Sequence, residues 1–549
     1  MASISPPRLK AWLEEGSELA LLDVSEGRYF AAGHIIASRH LPLSLLELEA
    51  PQILTRRDVP VVLVSADSRA GAASEQVARA AAVLRRLGYQ EIHELEGGLS
   101  AWVASGGVLI DGYNALVKAF GEEVRKHYGV DELSPEALAR RLDQGQPTTV
   151  VDVRTLVEHQ FSTLPGALNY PGTEWLLRHL PQREPDHLWA VHCFSRTRGV
   201  IGAATTRVVH GQHVPVAWVG DGVMAWVVQG EDDVRQAPEP GDVLPLLIEA
   251  DAVARANALI ARYALPVVDA ATVQRWRGEA TRNVQCFDLR PGAKSRPGVV
   301  AVSGGQLLMH FENLVAVRNA SMVLVDEPHR LRSAITAFWL LQLGEAQVYI
   351  LDARPDHDLA NFEALHEPPM QLPASSAQPQ PVSAVQLSHH IAHAGARVVD
   401  VGPSIDFLRG HVPGASYATA SEHGALGAAL ADAVANGQRL VLTSPDGRQA
   451  LLAARDLLDA ARNVYGSATA ENALQWLQGG TDAWRAAGQA LETGVEDDRL
   501  LTPFLDDWGS IMRVPECQRI PAWERYLHWE RNLAPRVTQD PAVRFRFFD

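Results

Sequence analysis

The sequence predicts an α/β protein made of four repeated units, each a mostly parallel sheet covered by helices on both faces. Three observations predict it. Short phrases recur in a fixed order along the chain. Within each unit, apolar strands alternate with stretches of helical period. A length of 549 residues leaves room for three to five domains. Strands that alternate with helices are joined by crossovers, the pattern of parallel sheets buried on both faces.

The first phrase is an apolar strand ending in Asp. It stands at Leu21-Leu22-Asp23-Val24, Val150-Val151-Asp152-Val153-Arg154, Cys286-Phe287-Asp288-Leu289-Arg290 and Val398-Val399-Asp400-Val401, with the Asp residues 129, 136 and 112 positions apart. The second phrase is a buried-type strand that runs into a polar loop and a helix. The strands are Val61–Val64, Leu188–His192, Met322–Val325 and Leu440–Leu442, followed by Ser65, Cys193, Asp326 and Thr443 or Ser444. These positions lie 42, 41, 38 and 43–44 residues beyond the Asp. The third phrase, Gly-x-x-x-Trp, closes three units at Gly98–Trp102, Gly222–Trp226 and Gly480–Trp484; the third unit lacks it. Helical spacing is clear in Gln76–Leu87, with Val77, Ala80, Ala81, Leu84 and Leu87 on one face.

The units span 1–112, 131–232, 262–360 and 382–492, with an aromatic tail at 493–549. Glu367 to Pro381 has the composition of an extended connector, Pro238 to Pro245 is a shorter break, and Ala115 to Tyr128 is a bridging helix. The tail carries Trp508, Trp523, Tyr526, Trp529, Phe545, Phe547 and Phe548 and is expected to strap across other units, with a partner-binding surface as the alternative.

Hydrophobic residues make up 47% and charged residues 21% of the chain, which supports ample cores without disulfides or structural metals. A net charge of −16 argues against nucleic acid as a main partner, because such partners demand clustered Lys and Arg. Three cysteines, Cys193, Cys286 and Cys517, form no disulfide framework and fit a reducing cytoplasm. The N-terminus has no basic segment followed by an apolar run, and no run of about 18 apolar residues occurs, so neither a secretory signal nor a membrane partner is expected.

Cys193-Phe194-Ser195-Arg196-Thr197-Arg198-Gly199 is the sharpest chemical feature. A buried strand delivers the cysteine to its C-terminal end, where open α/β sheets place ligands. A helix follows, so loop N–H groups, the helix dipole and two arginines can stabilise an anion at the sulfur. That environment is expected to lower the thiol pKa, and the thiolate is the nucleophile. The plain alternative is a small buried hydrophobe. Ser65, Asp326 and Thr443/Ser444 offer no thiol at the matching place, so the other units are expected to be inactive.

Weaker signals take bland readings. His389, His390 and His393 form an exposed helix face rather than a metal site. Cys286 is a core residue. Cys517 is an idle thiol, or a sulfur relay if the tail reaches the site. Gly304-Gly305-Gln306 is a glycine pair with no nucleotide fingerprint.

Together the phrases resemble the rhodanese-like (thiosulfate sulfurtransferase) superfamily. The carriers are strand–Asp–Val–Arg, the turn Gly410-His411-Val412-Pro413-Gly414-Ala415, its partial forms Gly33-His34-Ile35-Ile36-Ala37 and Leu164-Pro165-Gly166-Ala167, the Cys-x-x-x-x-Arg loop and the closing Gly-x-x-x-Trp. The resemblance covers residues 5–490. It implies four tandem domains, each a mostly parallel five-stranded sheet with helices on both faces. It implies a sulfurtransferase that moves a sulfane sulfur from thiosulfate or a persulfide to cyanide or a thiol through a Cys193 persulfide, with no cofactor and no metal. A protein can also serve as the acceptor. Carried over residue by residue, Cys193 is the nucleophile and Phe194, Ser195, Arg196, Thr197 and Arg198 form the substrate cradle. Arg196 and Arg198 hold the anionic part of the donor, and Asp152 and Arg154 shape the base of the site. Phe194 and Ser195 depart from the glycines common in the family's loop, and Phe194 is expected to narrow the entrance. The four-residue interval from Cys193 to Arg198 is shorter than that of related phosphatases and arsenate reductases, which favours sulfur transfer over that third reading. A non-catalytic binding or regulatory scaffold is the other alternative, since three units lack the nucleophile.

Overall fold

The recurring Asp closes a strand in all four units and then turns the chain. A computed structural model of the chain describes residues 1–66, 74–180, 186–235, 237, 244–296, 298–344, 346–352 and 378–549. In it, one carboxylate oxygen of Asp23, Asp152, Asp288 and Asp400 accepts the backbone N–H of the residue two positions on, at 2.8–3.2 Å. This is the local turn that a short carboxylate side chain offers the backbone. The first phrase recurs because each unit must leave its sheet at this place.

Each unit has five strands. Those of the second are Glu132–Leu133, Thr148–Asp152, Leu168–Asn169, Leu188–His192 and Val216–Val219. Numbered within a unit, the order across every sheet is 1-5-4-2-3, and every pairing is parallel. The fourth strand, which carries the second phrase, is therefore central. Its residues alternate between two apolar layers: Val61 and Leu63 join one cluster, Val62 and Val64 another. That is the two-faced burial expected of a parallel sheet under helices on both sides. The fourth sheet opens at Gln380–Val382, two residues before the expected limit of 382. Pro381 is tolerated there because this strand lies at a sheet edge. The expected connector from Glu367 and the break from Pro238 fall mostly outside the described residues.

The units pack through named contacts. The bridging helix Ala115–Tyr128 shares one core with units 2 and 3. Units 1 and 3 meet where Arg39 Nε donates to Val315 O at 2.9 Å. Units 1 and 4 meet where Arg455 holds Glu47 with two bonds of 2.8 and 2.6 Å. The tail leaves unit 4, bonds unit 1 at Leu505, lays the helix Arg519–Arg531 on unit 2 and ends with Phe545, Phe547 and Phe548 against Phe120, Tyr128 and Phe338. Among the described residues, no helix is long and apolar enough to cross a membrane.

Candidate active site

Cys193 is the first residue after the central strand Leu188–His192, and the helix Thr197–His210 begins four residues later. Cys193 is 3% exposed, and its sulfur accepts the backbone N–H of Gly199. The loop is held from below by the closing phrase, for Val223 N–H donates to Cys193 O at 3.2 Å and Met224 N–H to Phe194 O at 3.0 Å. Gly222 has φ +55°, and a Cβ there would stand 2.9 Å from Ser195 O and closer still to Cys193 O. Gly480 meets Ser444 and Pro445 in the same way in unit 4. The third phrase begins with glycine because it backs onto the loop after the central strand.

The same cradle stands empty of sulfur in two other units. In unit 4 the position after the strand is Ser444, whose Oγ accepts the N–H of Ala450 at 3.2 Å. In unit 3 Asp326 accepts the N–H groups of Glu327 at 2.8 Å and Ser333 at 3.1 Å. Asp326, Glu327 and His329 lie close enough together to share a cation, but Arg332 already bonds Glu327 at 2.8 Å and faces Asp326 at 3.4 Å. In unit 1 Ser65 Oγ donates to Gln76 at 2.6 Å, and residues 67–73, in the loop that follows, lie outside the described residues.

The expected cradle residues separate into distinct roles. Arg198 is held by Glu158 through bonds of 2.8 and 2.6 Å, and its charge bears on the sulfur. Glu158 is half-buried, and the loss of water alone would raise its pKa, yet Arg198 holds it down to about 2. Arg196 is engaged by Glu122 at 2.8 Å and by Asp221. Thr197 Oγ1 donates to Glu530 at 3.3 Å, and Ser195 lies in reach of Tyr526 and Glu530. Phe194 does not line an entrance. It packs edge-on to Trp523 at 5.2 Å, with the Arg154 guanidinium 5.5 Å from its ring, because the residue next to Cys193 faces the other apolar layer.

Asp152 and Arg154 form a buried base beneath the loop, with both side chains fully enclosed. Asp152 accepts from Arg154 Nε at 2.9 Å and Nη2 at 2.7 Å, from Thr163 at 2.9 Å, and pairs with His159 at 3.1 Å. Despite burial, Arg154 and these donors keep its pKa well below the carboxylate range.

The thiol pKa differs from expectation. Burial pushes Cys193 above its ordinary value, and the Glu530 carboxylate adds to this; Arg198, the Gly199 N–H and Arg154 oppose them. Desolvation of the charged form outweighs the nearby cations, two of which are already compensated by carboxylates. Cys286 is buried in strand Val284–Asp288, its thiol pushed up to about 11 by desolvation, whereas Cys517 is exposed.

Sequence reasoning missed Glu122, Glu158, Asp221, Tyr526 and Glu530. Glu158 carried a signal, because Thr155 and Glu158 form a capping box at the start of a helix. Tyr526 and Glu530 carried none, since only the course of the tail brings them to the loop.

A family model described as Rhodanese-like domain matches residues 5–105, the first unit. The uncharacterised protein YqhL of Bacillus subtilis strain 168 is 41% identical over 83 residues, which are 15% of this chain and 59% of that protein, so the match spans less than two thirds of that relative. A crystal structure of thiosulfate sulfurtransferase from Pseudomonas aeruginosa is 29% identical, with a TM-score of 0.86 and coverage of 100% of both chains. The Alr3790 protein from Anabaena sp. is 27% identical over 21% of this chain and 85% of its own, with a TM-score of 0.18.

Proposed function

Because this chain belongs to the rhodanese-like superfamily, we propose that it is a sulfurtransferase whose working group is Cys193. One observation carries the reading: in one of the four units the end of the central strand bears a sulfur, and that sulfur accepts a loop N–H beside Arg198. The resemblance over the whole chain to a structure named thiosulfate sulfurtransferase supports the donor class.

In the first half-reaction the Cys193 thiolate attacks the outer sulfur of thiosulfate. A new S–S bond forms on Cys193, the old one breaks, and sulfite leaves with the electron pair. In the second, an acceptor nucleophile takes the terminal sulfur and the pair returns to Cys193. The Gly199 N–H and the start of the helix Thr197–His210 stabilise the anionic persulfide. Because Arg198 and Arg196 are each paired with carboxylates, the donor's negative charge is met by backbone N–H groups and by whatever Arg198 shares with Glu158. Three unpaired cysteines fit a reducing compartment, where such a thiol stays available. Units 1, 3 and 4 act as the frame that holds the bridging helix and tail over the site.

The test is mass spectrometry of the intact protein after incubation with thiosulfate. A gain of one sulfur atom mapped to Cys193, absent in Cys193→Ala, is expected. No gain with thiosulfate or any small persulfide, in protein that folds, overturns the enzymatic reading in favour of a binding scaffold.

A further inference from the structure

A slot opens between units 2 and 3, at the C-terminal edge of the unit 2 sheet where Cys193 also lies. One wall is a face of the helix Thr197–His210, with Arg198, Ile201 and Thr205 following each other at the spacing of helix turns. Cys193 itself does not line the slot; Thr197 and Arg198, which do, open the helix whose Gly199 N–H the sulfur accepts, so the slot lies beside the Cys193 loop. The other wall comes from unit 3 through Leu308, Met309 and Trp339. The slot is narrow: it offers about 50 Å³ for the centres of water-sized spheres, room for a slim unbranched chain rather than a bulky ring. The glycine pair without a nucleotide fingerprint explains its shape. A Cβ on Gly305 would stand 3.2 Å from the Cα of Gly172, so a side chain there would have to push the facing backbone back by a few tenths of an ångström.

The slot's chemistry is narrow. Arg198 is its one charged residue among the described residues, and the Glu158 carboxylate compensates that charge through two of the five guanidinium N–H groups. Thr205 donates to Ile201 O at 2.5 Å and accepts from Trp339 Nε1 at 2.9 Å, and Thr336 donates to Arg332 O at 2.8 Å. An anionic substituent meets no uncompensated cation among these lining residues, while an apolar one gains from leaving water.

We infer that this slot receives the apolar substituent of a small uncharged organic thiol, the acceptor of sulfur from Cys193. The inference rests on the sulfurtransferase reading for the identity of the reaction, and on the slot alone for binding. The acceptor, having given its proton to water, attacks the terminal sulfur of the Cys193 persulfide as a thiolate. The bond between that sulfur and Cys193 Sγ breaks, its electron pair returns to Sγ, and the acceptor departs as an organic persulfide with no net oxidation.

The test is calorimetric binding of propane-, butane- and pentanethiol, and of 2-mercaptoethanesulfonate, to full-length Cys193→Ala protein, which cannot react. Saturable binding of one alkanethiol per chain is expected, tightening about fourfold per added methylene, with the sulfonate at least tenfold weaker than propanethiol. Met309→Trp and Ile201→Trp, which narrow the slot, are expected to weaken pentanethiol at least tenfold. Affinity independent of chain length, or equal binding of the sulfonate, overturns the inference without recourse to any variant. So does unchanged affinity in both folded variants. Because binding is measured without turnover, failure of Cys193 to form a persulfide refutes the proposed function and leaves this result to be judged by itself.

Discussion

Gly222→Ala is the sharpest test of how the site is built. Gly222 has φ +55°, a conformation that costs an L residue about 1–2 kcal/mol. The added Cβ would meet Ser195 O at 2.9 Å and Cys193 O at a shorter distance, where ordinary contact begins at 3.4 Å. To make room, the carbonyls of the Cys193 loop must retreat by roughly 1 Å, a displacement that costs on the order of 10²-fold when it falls on reacting atoms. The repeat supplies its own control. Gly480→Ala in unit 4 crowds the carbonyls of Ser444 and Pro445 at φ +60°, more tightly still than Gly222→Ala crowds its loop, but touches no sulfur. Stopped-flow measurement of persulfide formation from thiosulfate is expected to show Gly222→Ala slowed about 100-fold and Gly480→Ala close to the unsubstituted protein. Circular dichroism establishes that both fold. Equal loss in the two variants would mean that rate follows overall stability rather than the placement of Cys193. No loss in Gly222→Ala would mean that the loop tolerates the shift and that its geometry is not what drives the reaction.

Further predictions concern charge and packing. Glu158 is held down to about 2 against an ordinary value of 4.5; a carboxylate depressed in the folded state stabilises it above the unfolded pKa and loses that contribution as pH falls from about 4.5 towards 2. Glu158→Gln is therefore expected to cost on the order of 2–3 kcal/mol at pH 7, allowing for its partial exposure, and about half of that at pH 3; a urea-denaturation difference that does not shrink on acidification would refute the assignment. Iodoacetamide is expected to label exposed Cys517 first and Cys286 last, with the Cys193 rate still rising above the usual thiol midpoint of about 8.5. Glu530→Gln should move that Cys193 midpoint down, since it removes a negative charge that disfavours the thiolate. Trp523→Ala empties a 2% exposed position against Phe194 and is expected to cost about 3–5 kcal/mol; faster proteolysis of the tail helix Arg519–Arg531 is the accompanying readout, and an unchanged cleavage rate would count against that packing.

The sequence by itself determined the repeat, the parallel sheets and the position of the sulfur at a strand end. These depend on local rules: an Asp that turns the chain after a strand, a continuous apolar strand bounded by a polar loop, and a glycine that must accept positive φ. Each acts within a few residues, so each leaves a phrase that recurs in four places. Glu158 was within reach of the same logic through its capping box with Thr155. What the tertiary structure decided is everything that arrives at Cys193 from afar. Glu122 comes from the bridging helix, Tyr526 and Glu530 come from a tail more than 300 residues downstream, and the apolar slot needs Met309 and Trp339 of unit 3. No phrase encodes these meetings, because they follow from how whole units and the tail pack. The same packing set the ionisation of the thiol. Two arginines beside a cysteine in sequence imply a lowered pKa, but their carboxylate partners and the loss of water around the sulfur are properties of the folded whole, and desolvation outweighed the charge.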